Sequence, residues 1–143
     1  MTLPLILFLK LRITIKLEFP VHLKNKLFLA LLFKTLLKIR EQADLGFDLL
    51  KSGDLTQFGT LLDKAWQEKK KLSPMITNSL VDSFYKKAID SGSLGGKLNG
   101  GGYGGFLTLY CEKKYHSKVR ASLKNLHELK FNFENKGTIS IIS

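Results

Sequence analysis

The sequence has 143 residues, enough for one compact domain and hardly for two. Apolar residues make up 44% of it, which supports a buried core and excludes the composition of a disordered chain. The net charge is +11, and arginine occurs only at Arg12, Arg40 and Arg120. Lysine is a flexible point charge, whereas arginine is the planar fork that reads phosphates and base edges. The surplus therefore fits a solvated surface, and specific nucleic-acid recognition is not expected.

The chain opens on an apolar run, Leu3 to Leu9, interrupted by Pro4 and preceded by no basic segment. It fits neither a signal peptide nor a membrane span, so no membrane partner is expected. Residues 11–19 alternate. Leu11, Ile13, Ile15, Leu17 and Phe19 share one face, and Arg12, Thr14, Lys16 and Glu18 the other, which predicts a half-buried strand ended by Pro20. Leu27 to Phe33 reads equally as a strand or as the start of a helix. From Lys34 onward Leu36, Ile39, Ala43, Phe47 and Leu50 recur at helical spacing, with Gly53 as a stop.

Asp54, with Gln57 three residues on, predicts a capped helix start. Phe58, Leu61, Leu62, Ala65 and Trp66 form its apolar stripe, and Lys69-Lys70-Lys71 closes it where the helix dipole favours cations. Ser73-Pro74 breaks the chain. Asn78 predicts the cap of a third helix, with Leu80, Val81, Phe84, Tyr85, Ala88 and Ile89 on one side and Gly92 at its end. A glycine-rich loop over 95–105 follows, then a short strand, Phe106 to Cys111. Val119, Leu123 and Leu126 mark a further helix, and 129–142 reads as a hairpin turning at Asn135-Lys136-Gly137. The order implies an α+β fold, an antiparallel sheet with helices packed on one face.

Few residues suggest chemistry. Cys111 is the only cysteine, so an internal disulfide is excluded; its apolar surroundings predict a buried thiol in a reducing cytosol. His22, His116 and His127 lack ligand spacing, and no metal site is expected. Asp44 and Asp48 lie one helical turn apart, as on an exposed face, and Asp82 and Asp90 have no partner suited to acid–base work. No catalytic residue is assigned.

The exception is the glycine cluster. Eight of the twelve glycines lie between Gly92 and Gly105. Glycine costs backbone entropy, so such density suggests unusual dihedrals or close backbone approach, as in the cradling of an anion by backbone N–H groups; a flexible surface loop is the plain alternative. The pattern is neither a P-loop nor a dinucleotide fingerprint, because a helix precedes it and a strand follows.

Leu94-Gly95-Gly96-Lys97-Leu98, the glycine string and Phe106-Leu107 together resemble the third conserved motif of GHMP kinases, most of all sugar kinases of the D-glycero-D-manno-heptose 7-phosphate type. Gly53-Asp54-Leu55, Ala65-Trp66, Lys69 to Ser73, Tyr110-Cys111 and the closing hairpin agree with it. The resemblance covers residues 36–143 and implies a GHMP kinase C-terminal domain of ferredoxin-like layout, after a divergent segment, 1–35, with one or two strands. It also implies that Gly95, Gly96, Lys97, Gly100, Gly101, Gly102, Tyr103, Gly104 and Gly105 border the phosphate and sugar. Tyr103 replaces a family glycine and Asn99 an apolar or small residue.

The intact family enzyme uses ATP and Mg²⁺ to phosphorylate a sugar. Its nucleotide cradle, a Gly/Ser-rich loop opening a helix, finds no counterpart before residue 36. The expectation is a truncated, cytoplasmic chain that is inactive and binds neither ATP nor Mg²⁺ strongly by itself. A separately encoded N-terminal kinase half would be its partner and a sugar phosphate its substrate, with Phe58 to Trp66 or the strand 11–19 at the joint. The alternative is a noncatalytic basic module holding an anion or a nucleic acid.

Overall fold

The computed structural model describes residues 5–11, 26–102 and 104–131. In chain order it contains strand β1 (Leu5–Leu11), helices α1 (Lys26–Ser52), α2 (Leu55–Lys70) and α3 (Ser79–Asp90), strands β2 (Ser93–Gly102) and β3 (Gly104–Cys111), helix α4 (His116–Ser122) after a single 3₁₀ turn, and the short strand β4 (Glu128–Leu129). The sheet is antiparallel, in the order β2-β3-β1-β4. The expected strand over 11–19 lies outside the described residues except for Leu11, and so does the expected hairpin beyond residue 131.

Local signals place the two middle helices. The Asp54 carboxylate accepts from the Gln57 backbone N–H at 3.0 Å and from its side-chain amide at 2.7 Å, capping α2. Asn78 does the same for α3 by accepting from Val81 N–H at 3.0 Å. Gly53 and Gly92 end the preceding helices in left-handed geometry, at φ 75° and 109°.

The core is the cluster of Trp66, Val81, Tyr85, Ala88, Leu98, Leu107, Leu109, Cys111, Val119 and Leu123. Burying each large apolar side chain contributes about 1.5–3 kcal/mol. Leu107, Leu109 and Cys111 alternate onto one side of β3, and α2, α3 and α4 meet there. Tyr110 points to the other side, yet its ring packs edge-on against Phe58 of α2 at 6.2 Å. The helices are therefore not confined to one face: α2 crosses the edge of the sheet at β2.

Of the two readings of Leu27 to Phe33 the helical one holds, and α1 runs unbroken through residues 35 and 36. The inward face is rotated from the one predicted. Thr35 and Gly46 are buried and Ile39 half-buried, whereas Leu36, Ala43, Phe47 and Leu50 are exposed. Small residues win the inside position because α2 comes close; Leu61 and Phe58 stand 3.5 and 3.7 Å from where a Cβ on Gly46 would lie. The Thr35 hydroxyl donates to the Leu31 carbonyl at 3.0 Å, so its burial leaves no polar group unpaired. No helix among the described residues is long and apolar enough to cross a membrane.

Candidate functional site

The glycine string is not a loop. It forms most of β2 and the start of β3, two strands paired in a hairpin. A string of glycines has little strand propensity of its own; the cross-strand partners supply it. Lys97 pairs with Thr108, Leu98 with Leu107 and Asn99 with Phe106, and the Asn99 amide donates to the Thr108 hydroxyl.

Two groups of glycines have different physical roles. Gly95 lies where α2 crosses the strand. A Cβ there would fall 2.2 Å from the Gly59 carbonyl oxygen and 2.5 Å from the Asp63 nitrogen, both backbone atoms. Gly59 in turn leaves room for the Tyr110 ring and Leu94. These are packing glycines, buried under a helix. Gly100 and Gly105 lie nearer the hairpin tip, at φ 141° and 139°, where an L side chain is strained. A Cβ on Gly105 would also meet the Asn99 carbonyl oxygen at 2.1 Å.

Of the expected site residues, Gly95 and Gly96 are buried, Lys97 and Gly100 are exposed, and Gly104 and Gly105 are half-buried. Gly101 and Gly102 lie in β2, and Tyr103 lies outside the described residues. The strand thus has an anchored end against α2 and an open end at the tip.

The anchored end carries a polar contact that the sequence does not disclose. The Tyr85 hydroxyl of α3 donates to the Asp63 carboxylate of α2 at 2.8 Å, and Gln67 donates to the same oxygen at 3.0 Å. Burial and the Asp63 carboxylate raise the Tyr85 phenol far above its ordinary range, while a hydrogen bond from the Gly96 backbone opposes them. One phenol therefore ties α2, α3 and β2 together. The residues are 22 apart in sequence, and neither helical stripe signals their meeting. Ser93 holds the start of β2, its hydroxyl 2.9 Å from the Tyr110 carbonyl and 3.1 Å from the Gly95 carbonyl.

Other polar groups are engaged structurally. Lys70 and the Thr77 hydroxyl both reach Asp82 at 3.2 Å, and Lys86 pairs with Asp90 at 2.8 Å. Lys71 at 2.8 Å and Lys38 at 3.7 Å bracket Glu68, and they hold its carboxyl below the usual range, Lys71 by the stronger contact. Among the described residues no set of three acidic, histidine or cysteine side chains could hold a metal ion. Leu61 and Trp66 are buried within the fold, whereas Phe58, Leu62 and Ala65 of the same stripe are half-buried.

The fold matches part of Leishmania (L. major) mevalonate kinase, solved with R-mevalonate, with a TM-score of 0.59 and 15% identity over 86% of this chain and 41% of that one. The sequence is 35% identical over 88 residues to a D-glycero-alpha-D-manno-heptose 7-phosphate kinase of Campylobacter jejuni, covering 58% of this chain and 26% of that enzyme. No protein-family model matches the chain. The chain is related to the GHMP kinases, and it spans about a quarter of the length of the curated relative it matches.

Proposed function

We propose that this chain forms the C-terminal, ferredoxin-like domain of an ATP-dependent GHMP-type sugar kinase whose acceptor is a heptose phosphate or a close analogue. The similarity to the heptose 7-phosphate kinase carries the reading. In it, the tip of the β2–β3 hairpin borders the sugar phosphate. Gly100 and Gly105, in conformations that only glycine adopts freely, let the two strands of the hairpin approach closely near its tip, where Gly100 is exposed. Lys97, exposed on β2 and without an ion pair among the described residues, supplies a positive charge beside them. Gly95 acts at one remove, by seating the strand under α2, and Gly96 by its close approach to Thr108 and Leu109 of β3. ATP supplies the phosphoryl group and Mg²⁺ neutralises its charge; both are held by the nucleotide-binding part of the enzyme, which catalysis requires.

Amide chemical shifts of the ¹⁵N-labelled chain during titration with heptose 7-phosphate test the reading. The expected shifts fall on Lys97 and on residues 100–105, and Lys97→Ala weakens binding at least about tenfold. Shifts elsewhere, or none at millimolar ligand, refute it. Salt-dependent binding of RNA or polyphosphate at the same residues, without the sugar phosphate, would assign the chain to the basic anion-binding alternative.

A further inference from the structure

Eight of the eleven exposed large apolar side chains among the described residues belong to α1. Five of the eight, Leu29, Phe33, Leu36, Phe47 and Leu50, together with Ala43, keep the alternating spacing of four and three that lines a helix–helix seam, with Arg40 filling the one remaining position; Leu31, Leu37 and Leu45 lie off it. The stripe runs roughly 30 Å along the helix. Beside its C-terminal half, Phe47 and Leu50 join Phe58 and Leu62 of α2 around an open apolar groove of about 380 Å³. A helix apolar on more than one side is normally buried on more than one side. Among the described residues α2 packs against α1 on the side of Gly46.

The charges on α1 indicate what covers the other. Lys34 and Lys38 lie in its N-terminal half, Arg40 just past its middle, and Glu41, Asp44 and Asp48 beyond it, with Lys51 in the last turn. Lys38 pairs with Glu68 and Lys51 stacks over Phe47. Lys34, Arg40, Glu41, Asp44 and Asp48 are exposed and form no ion pair among the described residues. Apart from Lys51 in the last turn, this order opposes the helix dipole, which favours acids at the start and bases at the end. An antiparallel helix removes the conflict if its own charges run the same way, because each acidic half then faces a basic half. A second copy of α1 meets that requirement by symmetry.

We propose that the chain forms a two-fold dimer through antiparallel packing of α1 on α1, with Arg40 of each copy facing Glu41 of the other at the dyad. This does not depend on the kinase reading. Light scattering and sedimentation of the full chain test it. The expected mass is twice the 16.2 kDa of one chain, falling on dilution. Phe33→Glu and Phe47→Glu, at positions 64% and 62% exposed, leave the circular dichroism spectrum unchanged and raise the dimer dissociation constant at least about hundredfold. Arg40→Glu and Glu41→Arg each weaken self-association, and mixing the two variants restores a dimer, since every facing pair is then of opposite charge. A wild-type chain monomeric at roughly 100 µM overturns the proposal. So does a dimer indifferent to both Phe substitutions, or a mixture no tighter than its components. A monomer whose capture of a nucleotide-binding domain is abolished by Phe47→Glu would give this face to that domain instead.

Discussion

Replacing Gly95 by alanine separates packing from ligand contact in the glycine string. The added Cβ would fall 2.2 Å from the Gly59 carbonyl oxygen and 2.5 Å from the Asp63 nitrogen. Neither atom can swing aside as a side chain does, so α2 must lift off β2 by roughly 1 Å, disturbing the close-packed contacts around it. Overpacking of this kind costs about 3 kcal/mol, and for a chain of this size the melting temperature falls by roughly 8–12 °C. Gly53→Ala is the control. Its φ is 75° and nothing lies within 4 Å of the new Cβ, so only the left-handed backbone is penalised. That is about 1 kcal/mol, or roughly 3–4 °C. Thermal and urea unfolding followed by circular dichroism measure both. The reasoning fails if Gly95→Ala melts within 1–2 °C of wild type, or if Gly53→Ala is the more harmful change.

Three further outcomes follow from the same contacts. Tyr85→Phe removes the hydrogen bond to Asp63 and lowers stability by about 1–2 kcal/mol in urea unfolding at pH 7. Because folding raises the Tyr85 pKa, the unfolded chain loses this proton first; the contribution is complete below about pH 10 and declines above it, so the difference between wild type and Tyr85→Phe narrows in alkaline melts. Asp54→Ala removes both capping contacts at the start of α2 and costs about 1 kcal/mol, whereas Asp54→Asn keeps most of it. Burial raises the Cys111 thiol above its ordinary range and hides it, so a disulfide reagent at pH 8 modifies it at least about a hundredfold more slowly in the native chain than in urea; equal rates would contradict the buried placement.

The sequence by itself determined what depends on neighbours along the chain. Asp54 with Gln57, and Asn78 with Val81, satisfy helix N–H groups within three residues, so α2 and α3 begin where the cap residues stand. Gly53 and Gly92 end helices for the same local reason. The relation to GHMP kinases was legible too, because a glycine string between a helix and a strand is an uncommon pattern.

Tertiary structure decided the rest. The string became a hairpin because β3 supplies the cross-strand partners, and strand pairing is not encoded in spacing alone. The resemblance implies a phosphate-side Gly95; that α2 presses on its backbone there depends on Gly59, 36 residues earlier, which spacing does not disclose. On α1, Thr35 and Gly46 are buried while Leu36 and Phe47 are exposed, and at Gly46 the close approach of α2 rewards a small side chain over a large apolar one. Helical periodicity gives the period of a stripe, but which face is buried is set by whatever the helix lies against.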